Sequence, residues 1–500
     1  MKLRSWRKFA RVVSTHLCMM TNLIGALAIS ALSFAACNKS FSWSPGSTTP
    51  SSSSSSPSPT GGSVSSTNPT TAATAAPLAP SSGADASPGK SCKLTETKLP
   101  TTQRKIGEYL AVADFSGDGK DDVAIAEQGG SIEVFLNKGD GTFAAPTLYP
   151  SPDPGAWEGI VIVAGDIDGD GHPDIVAGYR HDFSPKLNLL VLLNKGNGTF
   201  SQPGQVKVGA SYFDNLRLAD INGDHKLDLV ADALPTDGSN GMYAFLNKGG
   251  GKFGPPVEMK LAGRDLANYE LAYRDRFAWE LRDVDGDGIP ELVVPPRGIV
   301  SLVGERDAST GNAGNYGVCV VKVDKKAQLA APACYSDIKS RSEAEEGYEP
   351  AQVALADFNG DGKADLVAGP ATGTFVHEPF SVFINKGNGT FKDKVFTRRG
   401  NLNTFDALTA RDVTGDGKAD IVAFGTPNGA SNYEVEIMVG KGDGTFSAVY
   451  DAPLPDNLDN PNAPAVAFGD FLGGGTVGVA VYVYEGPQSF VHIFTGRCGR

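Results

Sequence analysis

Asp114-Phe-Ser-Gly-Asp-Gly-Lys-Asp-Asp122 has oxygen-bearing side chains at positions 1, 3, 5 and 9, with glycine at positions 4 and 6. The pattern returns as Asp166 to Asp174, Asp220 to Asp228, Asp283 to Glu291, Asp357 to Asp365 and Asp412 to Asp420, and a worn seventh copy starts at Asp470. Successive starts lie 52, 54, 63, 74, 55 and 58 residues apart. Working outward from the first copy, an apolar run precedes it (Tyr109 to Ala113), a second follows it (Asp122 to Ala126), and a third (Ile132 to Leu136) leads into Asn137-Lys-Gly-Asp-Gly-Thr-Phe143. That hairpin returns at Asn194, Asn247 and Asn385, and in part at Lys441. Asp-Gly and Asn-Gly between short apolar runs mark tight hairpins, because both accept positive φ. Each unit therefore reads as a four-stranded antiparallel meander.

Such a meander cannot bury both its faces alone, so the units must stack, and four-stranded units stacked radially make a ring. The fold expected is all-β: a seven-bladed β-propeller of four-stranded antiparallel blades, closed by pairing of N- and C-terminal strands. The last copy stops after its third strand (Ser489 to Thr495), while an orphan strand, Lys93 to Pro100, precedes the first copy. The orphan supplies the missing outer strand, and a Cys92–Cys498 disulfide takes the place of the missing turn. An open solenoid is the alternative, and the chain ends argue against it.

The loop chemistry points to a hard cation. Side-chain oxygens at positions 1, 3, 5 and 9, with the carbonyl of position 7, wrap Ca²⁺ better than Mg²⁺, which prefers to keep its waters in a strict octahedron. The expected ligand sets are Asp114, Ser116, Asp118, Lys120 and Asp122; Asp166, Asp168, Asp170, His172 and Asp174; Asp220, Asn222, Asp224, Lys226 and Asp228; Asp283, Asp285, Asp287, Ile289 and Glu291; Asp357, Asn359, Asp361, Lys363 and Asp365; and Asp412, Thr414, Asp416, Lys418 and Asp420. Lys, His and Ile contribute only their carbonyls. An EF-hand would need a carboxylate at position 12, where these loops carry Ile125, Ala177, Ala231, Val294, Ala368 and Ala423. The third loop is the awkward one, since His225 replaces the glycine of position 6. The seventh, with Asp470 as its one carboxylate, should be empty. Five or six Ca²⁺ sites are therefore expected.

The repeat resembles the FG-GAP repeats of the integrin α-subunit propeller and the VCBS repeats of bacterial surface proteins, over roughly residues 92 to 500. The resemblance implies a calcium-stabilised propeller that binds a protein or glycan, as integrin heads and some fungal lectins do. It also leaves an enzyme as the alternative, because some polysaccharide lyases are built from related repeats.

The N-terminal residues read differently. Residues 1–36 pair a basic start with an apolar run that ends at Phe34-Ala35-Ala36-Cys37, which resembles the lipobox of bacterial lipoproteins, with Cys37 as the lipidated residue. A plain signal peptide or a signal anchor is the alternative. With Asn38 next, an outer-membrane or cell-surface address is implied. Residues 37–91 form a Ser/Thr/Pro-rich tether, uncharged from Ser40 to Ala84, with too little apolar surface to offset the entropy of ordering. Removing the five leader cations takes the formal charge from −13 to −18, which argues against nucleic acid. Of six cysteines, Cys18 leaves with the leader, so Cys319 and Cys334 make the second disulfide. The mature protein is expected to be an exported monomer that meets the membrane only through its lipid.

In a meander of this kind the calcium loops and the Gly-Thr-Phe hairpins share one face. The other face takes the second turns and the inter-blade loops, where the copies differ. Trp157, Tyr179, Tyr269, Arg274 and Trp279 are its ligand-contact candidates, since aromatic and Arg side chains on irregular loops suit recognition. No Gly-x-Ser-x-Gly elbow, phosphate loop or His-Glu-x-x-His occurs, and the histidines are scattered along the chain without pairing. A binding module rather than an enzyme is the expectation.

Overall fold

The computed structural model describes residues 90–102, 110–127, 130–152, 156–181, 187–201, 204–207, 210–235, 241–260, 279–294, 317–336, 350–370, 380–392, 395–396, 402, 406–427, 432–455, 465–474, 476–485 and 488–496. These form seven sheets in chain order and no helix. Blade 1 consists of Leu110–Ala113, Asp122–Ala126, Ile132–Phe135 and Thr147–Tyr149, each strand antiparallel to the next. Blades 2 to 6 repeat that order from inner strands Ala156–Gly165, Ala210–Ala219, Glu280–Arg282, Pro350–Ala356 and Ala407–Arg411. The inner strands touch one another in sequence, and that of blade 7, Ala465–Phe468, touches that of blade 1.

Seven apolar clusters fill the seven seams between neighbouring blades. The second strand of a blade explains why the units cannot stand alone. In blade 1, Val123 and Ile125 face blade 7, and Ala124 and Ala126 face blade 2, so the whole run Asp122–Ala126 is buried. A strand covered on both sides reads as a continuous apolar stretch rather than an alternation.

The ring closes with the terminal strands. Thr95–Pro100 pairs antiparallel with Gln488–Gly496, from Thr95 opposite Thr495 to Pro100 opposite Phe490, and so becomes the outer strand of blade 7. One feature departs from expectation. Lys90–Ser91, placed in the tether by the sequence, forms a short parallel strand against Tyr450 and Asp451 on blade 6. The Cys92 N–H then donates to the Asp451 carbonyl at 2.9 Å, and the chain crosses to blade 7. The folded domain thus reaches back at least to Lys90.

Cys319 and Cys334 are bonded to one another where the third and fourth strands of blade 4 pair directly. Cys92 is disulfide-bonded and 7 % exposed; Cys498 and Cys37 lie outside the described residues, as do residues 1–89.

Candidate metal centres

Each Asp loop folds on its own first carboxylate. Asp166 Oδ1 accepts the N–H groups of Gly169 and Asp170 at 2.7 and 3.1 Å, and its Oδ2 accepts that of Gly171 at 2.9 Å. Asp114, Asp220, Asp357 and Asp412 do the same, and Asp283 accepts from Gly286 and Gly288. The chain closes round that side chain only by entering positive φ, at +86° for Gly169 and +89° for Gly171. His225 enters the same region at +65°, so the third loop keeps the shape despite losing its glycine.

The ninth residue ties the loop to the rest of the blade. Asp174 is fully buried; one oxygen accepts the Ile167 N–H at 3.0 Å and the other the Asn194 N–H at 2.7 Å. Burial outweighs these donors and pushes the carboxyls of Asp122, Asp174 and Asp228 up to about 6 and that of Glu291 to about 7. Neighbouring loop carboxylates push the same way, and a cation would reverse the shift.

The loops divide by charge. In the second, carboxylate oxygens of Asp166, Asp168 and Asp174 lie within 4.8 Å of one another, and in the fourth those of Asp283, Asp285 and Glu291 do. The other four place Ser116, Asn222, Asn359 or Thr414 at position 3 and a lysine at position 7. That lysine pairs with position 5: Lys226 with Asp224 at 2.9 Å, Lys363 with Asp361 at 3.5 Å, and Lys120 with Asp118 and Lys418 with Asp416 at 3.8 Å. The six loops therefore resolve into two whose carboxylates converge and four that already hold an ammonium at the rim. The two convergent sets fit a hard divalent ion: their donors are all oxygen, and in the fourth loop the Lys322 ammonium, bonded to Asp285, stands in for a cation. In the seventh loop, Asp470 instead accepts the Thr476 hydroxyl at 2.5 Å, and its N–H donates to Asp121 of blade 1 at 2.6 Å.

Sequence reasoning missed the hairpin asparagine. Asn137, Asn194, Asn247 and Asn385 each donate a side-chain amide to their own blade's Asp loop and to the second residue of the preceding blade's loop. The signal was present in four repeats of Asn at the head of the hairpin. Val323 and Gly440 stand there in blades 4 and 6.

On the opposite face two ligand-contact candidates are corrected. Tyr179 is 1 % exposed within the seam of blades 1 and 2, and Trp279 is 4 % exposed within that of blades 3 and 4, under the Arg217 guanidinium at 5.4 Å. Both are gap-filling side chains, because long apolar bodies at blade edges are drawn into the seams. The Trp157 side chain, Tyr269 and Arg274 lie outside the described residues.

Residues 114–177 and 357–423 match the FG-GAP-like repeat family. No curated protein matches the chain. Among solved structures, an Agrocybe aegerita lectin specific for non-reducing terminal N-acetylglucosamine is 20% identical, with TM-score 0.45 over 72% of this chain and 80% of that one. BBS1N, solved in complex with ARL6DN, is 11% identical with TM-score 0.42 over 81% and 98%. A mutant of AofleA from Arthrobotrys oligospora is 12% identical with TM-score 0.36 over 73% and 91%. The chain is a seven-bladed β-propeller that carries FG-GAP-like repeats.

Proposed function

We propose that this propeller is a calcium-binding, lipid-anchored recognition module outside the cytoplasm, whose ligand is a protein or a glycan. The observation that carries the calcium reading is the convergence of the second and fourth loops, where all-oxygen donor sets meet around a space that a divalent ion neutralises. Asp166, Asp168 and Asp174, and Asp283, Asp285 and Glu291, are the residues that hold the ions. The Cys319–Cys334 bond supports an oxidising compartment, and Cys37 at the end of the apolar leader supports the anchor.

Recognition is assigned to the face away from the calcium loops, because the loops there differ in length from blade to blade while the calcium face is repetitive. Glycan-array binding by the purified chain, with and without chelator, tests the reading. Saturable binding lost in chelator supports it. Release of unsaturated uronate from acidic polysaccharides would replace it with a lyase.

A further inference from the structure

The residue just before the hairpin asparagine position is apolar in blades 1, 2, 3, 5 and 6: Leu136, Leu193, Leu246, Ile384 and Val439. Its place is against the next blade's hairpin. A Cβ built on Gly198 would meet Leu136 at 2.7 Å, one on Gly251 would meet Leu193 at 2.7 Å, and one on Gly444 would meet Ile384 at 2.8 Å. Blade 4 has Lys322 there, and the matching contact, on Gly389, falls to the Cβ of Asp285 at 3.1 Å.

The Lys322 ammonium lies on Asp285 instead, as both an ion pair and a hydrogen bond. Asp285 is 7 % exposed and Lys322 59 %, so the amine reaches in from solvent on a free stem. Asp287 and Glu291 add to its attraction. This lysine is not the rim lysine of other loops, since position 7 here is Ile289. The second loop, equal in carboxylates, has His172 at position 7, and that ring lies over Gly196 of its own hairpin. Among the described residues no lysine or arginine pairs with Asp166, Asp168 or Asp174.

We propose that Lys322 is a built-in counter-ion that competes with calcium for Asp285, which makes the fourth loop the weaker site and the second loop the one filled first. The inference rests on the calcium reading above. Calcium can enter the fourth loop only when the amine leaves Asp285, and the long exposed stem lets it swing away without disturbing the strand. The fourth site then fills over a higher range of calcium, and its affinity falls less steeply with ionic strength than that of the second, because salt also weakens the Lys322–Asp285 pair that opposes calcium.

Calcium titration of the full chain, followed by calorimetry and by terbium luminescence, tests this. Wild type should show a tighter and a weaker class of sites. Asp168→Asn should remove the tighter class and Asp285→Asn the weaker one. Lys322→Met should tighten the weaker class by about tenfold, as expected when one positive charge is taken from beside a divalent ion at a half-exposed site, and Lys322→Arg should leave both classes as in wild type. A weaker class that does not move in Lys322→Met, or loss of the tighter class in Asp285→Asn, overturns the proposal while leaving the calcium reading intact. A wild-type chain that binds no calcium defeats that reading and the proposal together.

Discussion

The side-chain amide of Asn194 in blade 2 donates to the backbone carbonyl of Phe115 in blade 1 at 2.9 Å, across a seam filled mainly by apolar side chains. The same nitrogen also reaches Pro173 O at 3.0 Å, so one buried side chain joins two loops of different blades. Asn194→Ala should destabilise the fold by about 1–3 kcal/mol, because two buried carbonyls lose their donor. Denaturant unfolding measures it. A loss of under about 0.5 kcal/mol, the range of ordinary surface substitutions, would count against the clasp.

Calcium should stabilise the propeller through the folded state alone. Two sites, each held at a hundred times its dissociation constant, would together contribute roughly 5 kcal/mol by mass action. Chelator should therefore lower the melting temperature of wild type, and less so that of Asp168→Asn/Asp285→Asn. Asp470→Asn should leave the bound calcium unchanged. Elemental analysis giving fewer than two ions per chain after equilibration with calcium would contradict the two-loop assignment.

The blades were legible because the nine-residue loop keeps its register wherever it occurs. The closure was legible because the last copy ends one strand short and the first is preceded by one strand too many. What a single loop sequence does not carry is its neighbourhood. Ser116 or Asn222 at position 3 looks like a ligand as good as Asp168, yet the position 7 lysine beside it already answers the charge of position 5. Lys322 stands 31 residues after Glu291 in the chain, and only the meander brings it to Asp285. Tyr179 and Trp279 misled because an aromatic at the end of an apolar run gives no sign of whether it turns to solvent or into a seam.

Stability should also fall as the solution becomes alkaline, and Glu127 is a principal cause. It is 1 % exposed in blade 1, and neither carboxyl oxygen finds a hydrogen-bond partner among the described residues. Burial, with Glu133 nearby, pushes it up to about 9; burial pushes Glu133 to about 7 despite the Thr102 N–H it accepts. A raised folded value means that the folded state holds more protons than the unfolded state above about pH 4.5. The stabilisation is full below that pH and is lost as pH rises through about 9. Glu127→Gln, which cannot ionise, should flatten the decline between pH 6 and pH 9 by ~2 kcal/mol, a figure that allows for relaxation of the site. Parallel slopes for wild type and variant in urea titrations across that range would refute the assignment.

Cys92 is disulfide-bonded, and Cys319 and Cys334 are bonded to each other, so the partner of Cys92 is another cysteine of the chain. The closing strands pair Thr95 with Thr495 in antiparallel register, and in the sequence Cys92 precedes the one by three residues as Cys498 follows the other by three. Leu94 packs so closely that a Cβ on Gly496 would meet its Cδ2 at 2.7 Å, which holds the two chain ends side by side. Cys92–Cys498 is therefore the expected pair. It spans a loop of roughly 400 residues, for which the chain-entropy account gives about 5 kcal/mol as an upper figure. Without it, closure rests on the six paired residues from Thr95 to Pro100 and the seams on either side of blade 7. Cys92→Ser should accordingly raise hydrogen exchange first along Thr95–Pro100 and Gln488–Gly496, with blades 3 and 4 protected longest. Peptide mapping of the unreduced chain that joins Cys92 to any residue but Cys498, or exchange that rises evenly round the ring in Cys92→Ser, would show that the propeller is closed by strand pairing and packing alone.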